Sequence, residues 1–172
     1  MKTILVTGGI ASGKTEVCRY LASLGFPVYD SDSRTKGLYS SVPGLKARVE
    51  AAAGAPFSEL SVIFRDAGAR RRVEAVVHPE VLRDFVEWRS GQKGEKVFFE
   101  SAIALQNPLF DHLWDEIWLV KAPDALRIAR NPRTAERMKA QKDVDESRAT
   151  HIIVNDSDLE SLHRQLNNLL KR

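Results

Sequence analysis

The sequence predicts an α/β chain built on a parallel, doubly wound sheet of five strands. Five short apolar runs read as strands: Thr3 to Thr7, Pro27 to Asp30, Lys96 to Glu100, Glu116 to Lys121 and His151 to Asn155. Several are continuous rather than alternating, as in Val97-Phe98-Phe99 and Ile117-Trp118-Leu119-Val120. Strands covered on both faces look like this, because neither set of side chains meets water. Helical spacing fills the intervals, and alternation of strand and helix makes neighbouring strands parallel.

The elements follow in order. After the first strand, Lys14 to Leu24 carries Val17, Leu21 and Leu24 at helical spacing, and Gly25 stops it. From Ser31 to Gly94 the pattern is all helical, interrupted by Pro43, Gly54-Ala55-Pro56 and Pro79. That interval is far too long for a simple crossover and reads as a helical insertion at the sheet edge, residues 31–94. A second irregular zone, 127–142, holds Arg127, Arg130, Arg133, Arg137, Lys139 and Lys142 and is broken by Asn131-Pro132. Asp158 to Leu170 closes the chain with Leu159, Leu162, Leu166 and Leu169 on one face, behind a Ser157 cap. The core strands and helices therefore occupy 1–30, 95–126 and 150–172.

Composition narrows the class. The 172 residues suit one domain, with 43% apolar and 28% charged side chains. Cys18 is alone, so a disulfide framework or paired-cysteine metal site is excluded, which fits a reducing cytoplasm. The apolar run Ile4 to Val6 is too short for a signal peptide or a membrane span. The net charge of +3 points to an anionic small-molecule substrate at most. Basic residues are not stacked on one helix with interleaved aromatics, so nucleic acid is not expected as a partner. Oligomeric state cannot be read from these features.

Gly8-Gly9-Ile10-Ala11-Ser12-Gly13-Lys14-Thr15 fits G-x-x-x-x-G-K-[ST]. It lies after an apolar strand and before an amphipathic helix, where the chemistry requires it. Glycines permit a loop whose N–H groups converge on phosphate oxygens, and the next helix aims its positive end at the same place. Lys14 can reach the β- and γ-phosphates, and the Thr15 hydroxyl can ligate Mg²⁺. The chain is therefore expected to bind ATP or GTP. A glycine-rich turn with a chance lysine is the plainer alternative.

Asp30-Ser31-Asp32 ends the second strand, where open α/β sheets place ligands. Either carboxylate could meet a substrate hydroxyl as base or orienter, and Asp32 is the stronger candidate. Asp30 or Ser31 could equally cap the next helix. Glu100 ends the third strand and fits a carboxylate that supports Mg²⁺ at one remove. In the arginine zone, a lid could close over the phosphates and spread transition-state charge, with Arg130 the best catalytic candidate. For Arg137, Lys139 and Lys142 a solvated face is the better reading. Pro79 reads as a first-turn proline, and His78 before it as a cap. Arg70-Arg71-Arg72 reads as a solvated face more readily than a phosphate site. Cys18 reads as packing.

Taken together these pieces resemble dephospho-CoA kinases. The resemblance runs from Thr7-Gly8-Gly9-Ile10-Ala11-Ser12-Gly13-Lys14-Thr15 through Leu24-Gly25-Phe26-Pro27-Val28-Tyr29-Asp30-Ser31-Asp32, His78-Pro79, Glu100-Ser101-Ala102-Ile103 and Gln141 to Ile152-Ile153-Val154-Asn155-Asp156. It implies a P-loop kinase fold with a CoA-binding helical insertion and a lid. It also implies Mg²⁺- and ATP-dependent phosphorylation of the ribose 3′-hydroxyl of dephospho-CoA. By motif match, Lys14, Asp32 and Arg130 look catalytic. Gly9, Ile10, Ala11, Ser12, Gly13, Lys14, Thr15, Glu16 and Asn155 look ATP-binding, Asn155 in the adenine pocket. Asp32, His78 and Glu100 look substrate-binding, and Thr15 metal-binding.

The chain departs from that family in five places. Ala11 stands where the loop usually has glycine, and its methyl is expected to need a negative φ. Glu100-Ser101-Ala102 replaces a D-[IV]-P pattern, and Gln106 a glutamate. The lid is short, with residues 128–140, thirteen in all, between Arg127 and Gln141. The insertion is trimmed around Phe57 to Arg72. Two other readings remain at this point: another small-molecule P-loop kinase acting on a nucleoside monophosphate or sugar acid, and a homologue that binds nucleotide without turnover. A GTPase is disfavoured by the lack of an N-K-x-D signature.

Overall fold

The computed structural model describes residues 1–130, 135, 138 and 144–171. Its contacts fall into two compact units, residues 1–29 with 92–172, and residues 30–91.

The first unit is the sheet. Its strands are β1 (Lys2–Gly8), β2 (Val28–Asp30), β3 (Lys96–Glu100), β4 (Glu116–Lys121) and β5 (His151–Val154), ordered β2-β3-β1-β4-β5. β1 runs parallel to β3 and β4, and β4 parallel to β5. One face carries Ile4, Val6, Phe98, Trp118, Val120 and Ile153, which pack against Val17, Cys18 and Leu21 of α1 (Lys14–Ser23) and Leu162 and Leu166 of α6 (Leu159–Leu170). Cys18 is thus a packing residue. The other face carries Phe99 beneath an aromatic cluster, with ring centroids 4.9 Å to Tyr29 and 5.1 Å to Trp114. Both faces are covered, which explains why Ile4, Leu5 and Val6 form an unbroken apolar run with no exposure at all.

The expected strands all form, with ends shifted by a residue or so as terminal pairing dictates. At α6 the expected Ser157 cap is replaced by Asp158, whose carboxylate accepts from the Ser161 N–H at 2.8 Å. Asp158 stands three residues before that N–H, the spacing a capping side chain needs, and its carboxylate is charged.

The second unit is helical: α2 (Ser31–Ser41), α3 (Leu45–Ala53), a 3₁₀ stretch (Phe57–Phe64) and α4 (Ala67–Ser90). α4 corrects the reading of His78-Pro79. Pro79 lies deep inside a continuous helix of 24 residues, and His78 is not a cap. The cap is Asp66, whose Oδ1 accepts from the Gly68 and Ala69 N–H groups. Those two bonds hold the Asp66 carboxyl below the usual carboxylate range. An interior proline costs about 3 kcal/mol. Against it, the stripe Val73, Val77, Val81 and Phe85 is buried, each side chain contributing about 1.5–3 kcal/mol. Pro79 itself faces water, which can solvate the carbonyl it leaves without a helical donor.

Candidate active site

β1 delivers the glycine loop to the carboxyl edge of the sheet. Register pairs Val6 with Glu100 on one side and Gly8 with Val120 on the other. The loop is gripped by its carbonyls. Lys14 Nζ donates to Gly8 O and Gly9 O, each at 3.0 Å. Arg127 Nε donates to Ile10 O at 2.8 Å, and Arg130 Nη1 to Ala11 O at 3.1 Å and Ser12 O at 3.3 Å. Asn155 Nδ2 donates to Ser12 O at 2.9 Å. Every carbonyl from Gly8 to Ser12 therefore meets a side-chain donor. Within the loop the Ser12 N–H donates to Gly9 O at 3.2 Å; successive amides in a turn of this kind can make an anion-binding concavity.

Two backbone features make this course possible. Gly13 has φ +106°, and a Cβ there would fall 2.1 Å from Asn155 Nδ2. Ala11 has φ +56°, against the expectation of a negative value. That angle lies in the small left-handed well, which an alanine enters at a cost of about 1–2 kcal/mol. The Arg130 bond to Ala11 O helps hold it there.

Thr15 lies in the first turn of α1, and its Oγ1 donates to Glu100 Oε1 at 2.7 Å. A hydroxyl and a carboxylate so placed are hard oxygen donors beside the phosphate loop, the chemistry that suits Mg²⁺. Among the described residues no cluster of three His, Cys, Asp or Glu side chains could hold a metal alone. Glu16, also in the first turn, pairs with Arg19 instead. Ser12 is 1% exposed, and its hydroxyl has no hydrogen-bond partner among the described residues. It borders an open pocket of about 350 Å³ that is also lined by Gly9, Val120, Asp124 and Arg127. A buried hydroxyl without a partner costs about 1–3 kcal/mol, a cost that an added acceptor at Ser12 would relieve.

Comparison with known proteins puts a family to this site. The chain is 38% identical over 152 residues to the dephospho-CoA kinase of Porphyromonas gingivalis, covering 81% of this chain and 75% of that protein. It belongs to the dephospho-CoA kinase family. The Salinibacter ruber dephospho-CoA kinase is 32% identical, over 96% of this chain and 94% of that one. A solved Thermus thermophilus structure superposes with a TM-score of 0.79 at 30% identity, covering 99% of this chain and 96% of that one. No family model matches the chain.

The helical unit of this family member separates the two aspartates. Asp30 is the cap of α2: its Oδ1 accepts from the Asp32 and Ser33 N–H groups, each at 3.1 Å, and its Oδ2 from Ser33 Oγ at 2.6 Å. The exposed Asp32 carboxylate bonds to no described residue. His78 lies half-buried on α4, near Glu74 and Arg70, which pair at 2.7 Å. Burial pushes the His78 imidazole below its ordinary value; Glu74 pulls it up and Arg70 pushes it down. Arg72 donates to Ala52 O at 2.9 Å, and so serves the packing of the helical unit. Arg133, Arg137, Lys139, Gln141 and Lys142, with the Asn131-Pro132 break, lie outside the described residues, as does most of the expected lid. Arg127 is the site residue that sequence reasoning passed over. One turn before Arg130 on α5 (Asp124–Arg130), it carried a signal only as part of an arginine-rich zone.

Proposed function

We propose that the chain transfers the γ-phosphoryl group of ATP to the ribose 3′-hydroxyl of dephospho-CoA, releasing ADP and coenzyme A. The observation that carries this is family membership over most of the chain, joined to a glycine loop whose carbonyls from Gly8 to Ser12 all meet side-chain donors. The 3′-oxygen forms a bond to the γ-phosphorus as the bond to the β–γ bridging oxygen breaks, and ADP leaves. Asp32 receives the hydroxyl proton; its carboxylate is available, whereas that of Asp30 is engaged in the α2 cap. Loop amides, Lys14 and the Ser12 hydroxyl bind the phosphate chain, and Lys14 and Arg130 offset the charge that develops on transfer. For Arg130 this requires giving up some of its present carbonyl bonds.

Thr15 and Glu100 would hold Mg²⁺, Thr15 directly and Glu100 through a bound water. The ion, when bound, neutralises phosphate charge and helps align the groups for in-line transfer. His78 sits on the substrate side as a neutral hydrogen-bonding group near neutral pH, and Asn155 borders the nucleotide from behind the loop. Residues 31–94 would form the CoA-binding insertion and 127–142 the lid.

The test is ADP release from Mg²⁺-ATP with and without dephospho-CoA, for the wild type and Asp32→Asn. Release that requires dephospho-CoA is expected. Asp32→Asn should bind ATP normally by calorimetry and lose acceptor phosphorylation by a factor of about 10² or more. An Asn variant that phosphorylates as well as wild type removes Asp32 from its role. Turnover that ignores dephospho-CoA removes the substrate assignment.

A further inference from the structure

We propose that Arg127 is a positioning residue that sets the shape of the phosphate loop from outside, and that Gly9 is glycine to make room for it. The inference rests on the reading of this loop as the nucleotide site.

Three observations meet here. Arg127 Nε donates to Ile10 O at 2.8 Å, while its Nη1 donates to Asp124 Oδ1 at 3.0 Å. The guanidinium is thus held at both ends, between the first turn of its own helix and the loop. Its side chain is only 15% exposed, unusual for an arginine on a short helix. Finally, a Cβ built on Gly9 would fall 2.5 Å from Arg127 Nη2 and 2.9 Å from Cζ. Gly9, unlike Gly8 and Gly13, has no positive φ, so its backbone would accept alanine. What a methyl there meets is the guanidinium, Nη2 foremost. The planar fork of arginine suits this, because Nε can serve the Ile10 carbonyl while Nη2 lies close over the glycine.

The arrangement has a consequence for control. Arg127 and Arg130 sit one turn apart on the helix that leads into the arginine-rich segment. They hold successive carbonyls of the loop, Ile10 by one and Ala11 and Ser12 by the other. The loop's readiness for phosphate therefore depends on where α5 stands. Arg127 acts through the backbone of Gly9 and Ile10.

Because the far end of an arginine is flexible, Gly9→Ala should fold and simply displace the guanidinium. It should then reproduce Arg127→Ala. The experiment compares Arg127→Ala, Gly9→Ala and the double variant with wild type. It reads amide hydrogen exchange at residues 10–13 in the nucleotide-free chain and Mg²⁺-ADP affinity by calorimetry. Each single variant should raise loop exchange at least fivefold and weaken ADP binding at least fivefold. Exchange in β4 should stay unchanged, which a general loss of stability would not allow. The double variant should match the singles within twofold, since both substitutions remove one contact. Loop exchange raised less than fivefold in either single variant, a matching rise in β4, or effects that multiply in the double variant would overturn the proposal. Loop exchange needs no acceptor, so a chain lacking dephospho-CoA turnover would sink the substrate assignment and leave this result standing.

Discussion

The glycine loop and the helical unit handle their polar groups in opposite ways. In the loop, backbone carbonyls are satisfied by side chains from the adjoining α1 and from α5 and the end of β5, the last two more than a hundred residues away in sequence. In the helical unit the polar groups are satisfied locally or between adjacent helices. Asp30 and Asp66 cap their own helices, and Glu80, 5% exposed, is held by Arg48 at 2.9 Å and Arg83 at 2.7 Å. One region draws its polar partners from across the fold; the other supplies its own. A residue that remains without a partner in the self-sufficient region, as Asp32 does, stands out for that reason.

Four tests bear on this contrast. The largest effect is expected at Lys14. Lys14→Ala removes a preorganised cation from the loop, with loss of transition-state stabilisation on the order of 2.7–4 kcal/mol, read as kcat/KM in the coupled assay. The fold should be retained, because the two carbonyls it serves can turn to water; turnover within threefold of wild type would contradict the role.

Glu80→Ala should do the reverse, with little effect on chemistry and a large one on folding. It deletes two charge-assisted hydrogen bonds at a buried site, at about 1.5–3 kcal/mol by denaturant unfolding. The exposed arginines it abandons can be hydrated, which keeps the cost below that of stranding a buried charge. An unchanged unfolding midpoint would mean the network contributes nothing.

The two neighbouring aspartates sharpen the contrast within three residues. Asp30→Ala should lower stability by about 0.5–2 kcal/mol, the usual worth of an N-cap. Asp32→Asn should leave the unfolding free energy within about 0.5 kcal/mol, as a surface substitution does. If the two exchange these effects, the division of labour between cap and free carboxylate is wrong.

The smallest effect concerns His78. Its imidazole is held below the ordinary value of 6.5, so the unfolded chain takes up the proton first as pH falls. The neutral form supports folding fully above about pH 6.5, and that support is lost as pH drops toward the folded value. Thermal unfolding between pH 8 and 5 should show the decline, and His78→Gln should flatten it. The depressed carboxyls of Asp66 and Asp145 act only at lower pH, within and below the ordinary carboxylate range.

Much of this was legible in the residues. The strands showed because burial on both faces leaves runs such as Val97-Phe98-Phe99 with no polar position. The loop showed because phosphate binding needs glycines, a lysine and a hydroxyl at fixed offsets after a strand. His78-Pro79 misled because proline punctuates helices locally, while here a long buried stripe outweighed it. Arg127 did not show because its partner, the Ile10 carbonyl, belongs to the backbone and leaves no mark on residue identity.

The sequence by itself determined the sheet, the nucleotide loop with Lys14 and Thr15, and the family. Those depend on period, burial and short-range spacing, which side-chain types encode directly. Only the tertiary structure decided which aspartate caps and which stays available. It also decided that Glu100 meets Thr15, and that Arg127, Arg130 and Asn155 grip the loop. Each of these is a question of which partner a polar group finds across the fold, and distance in space is not written in the order of the chain.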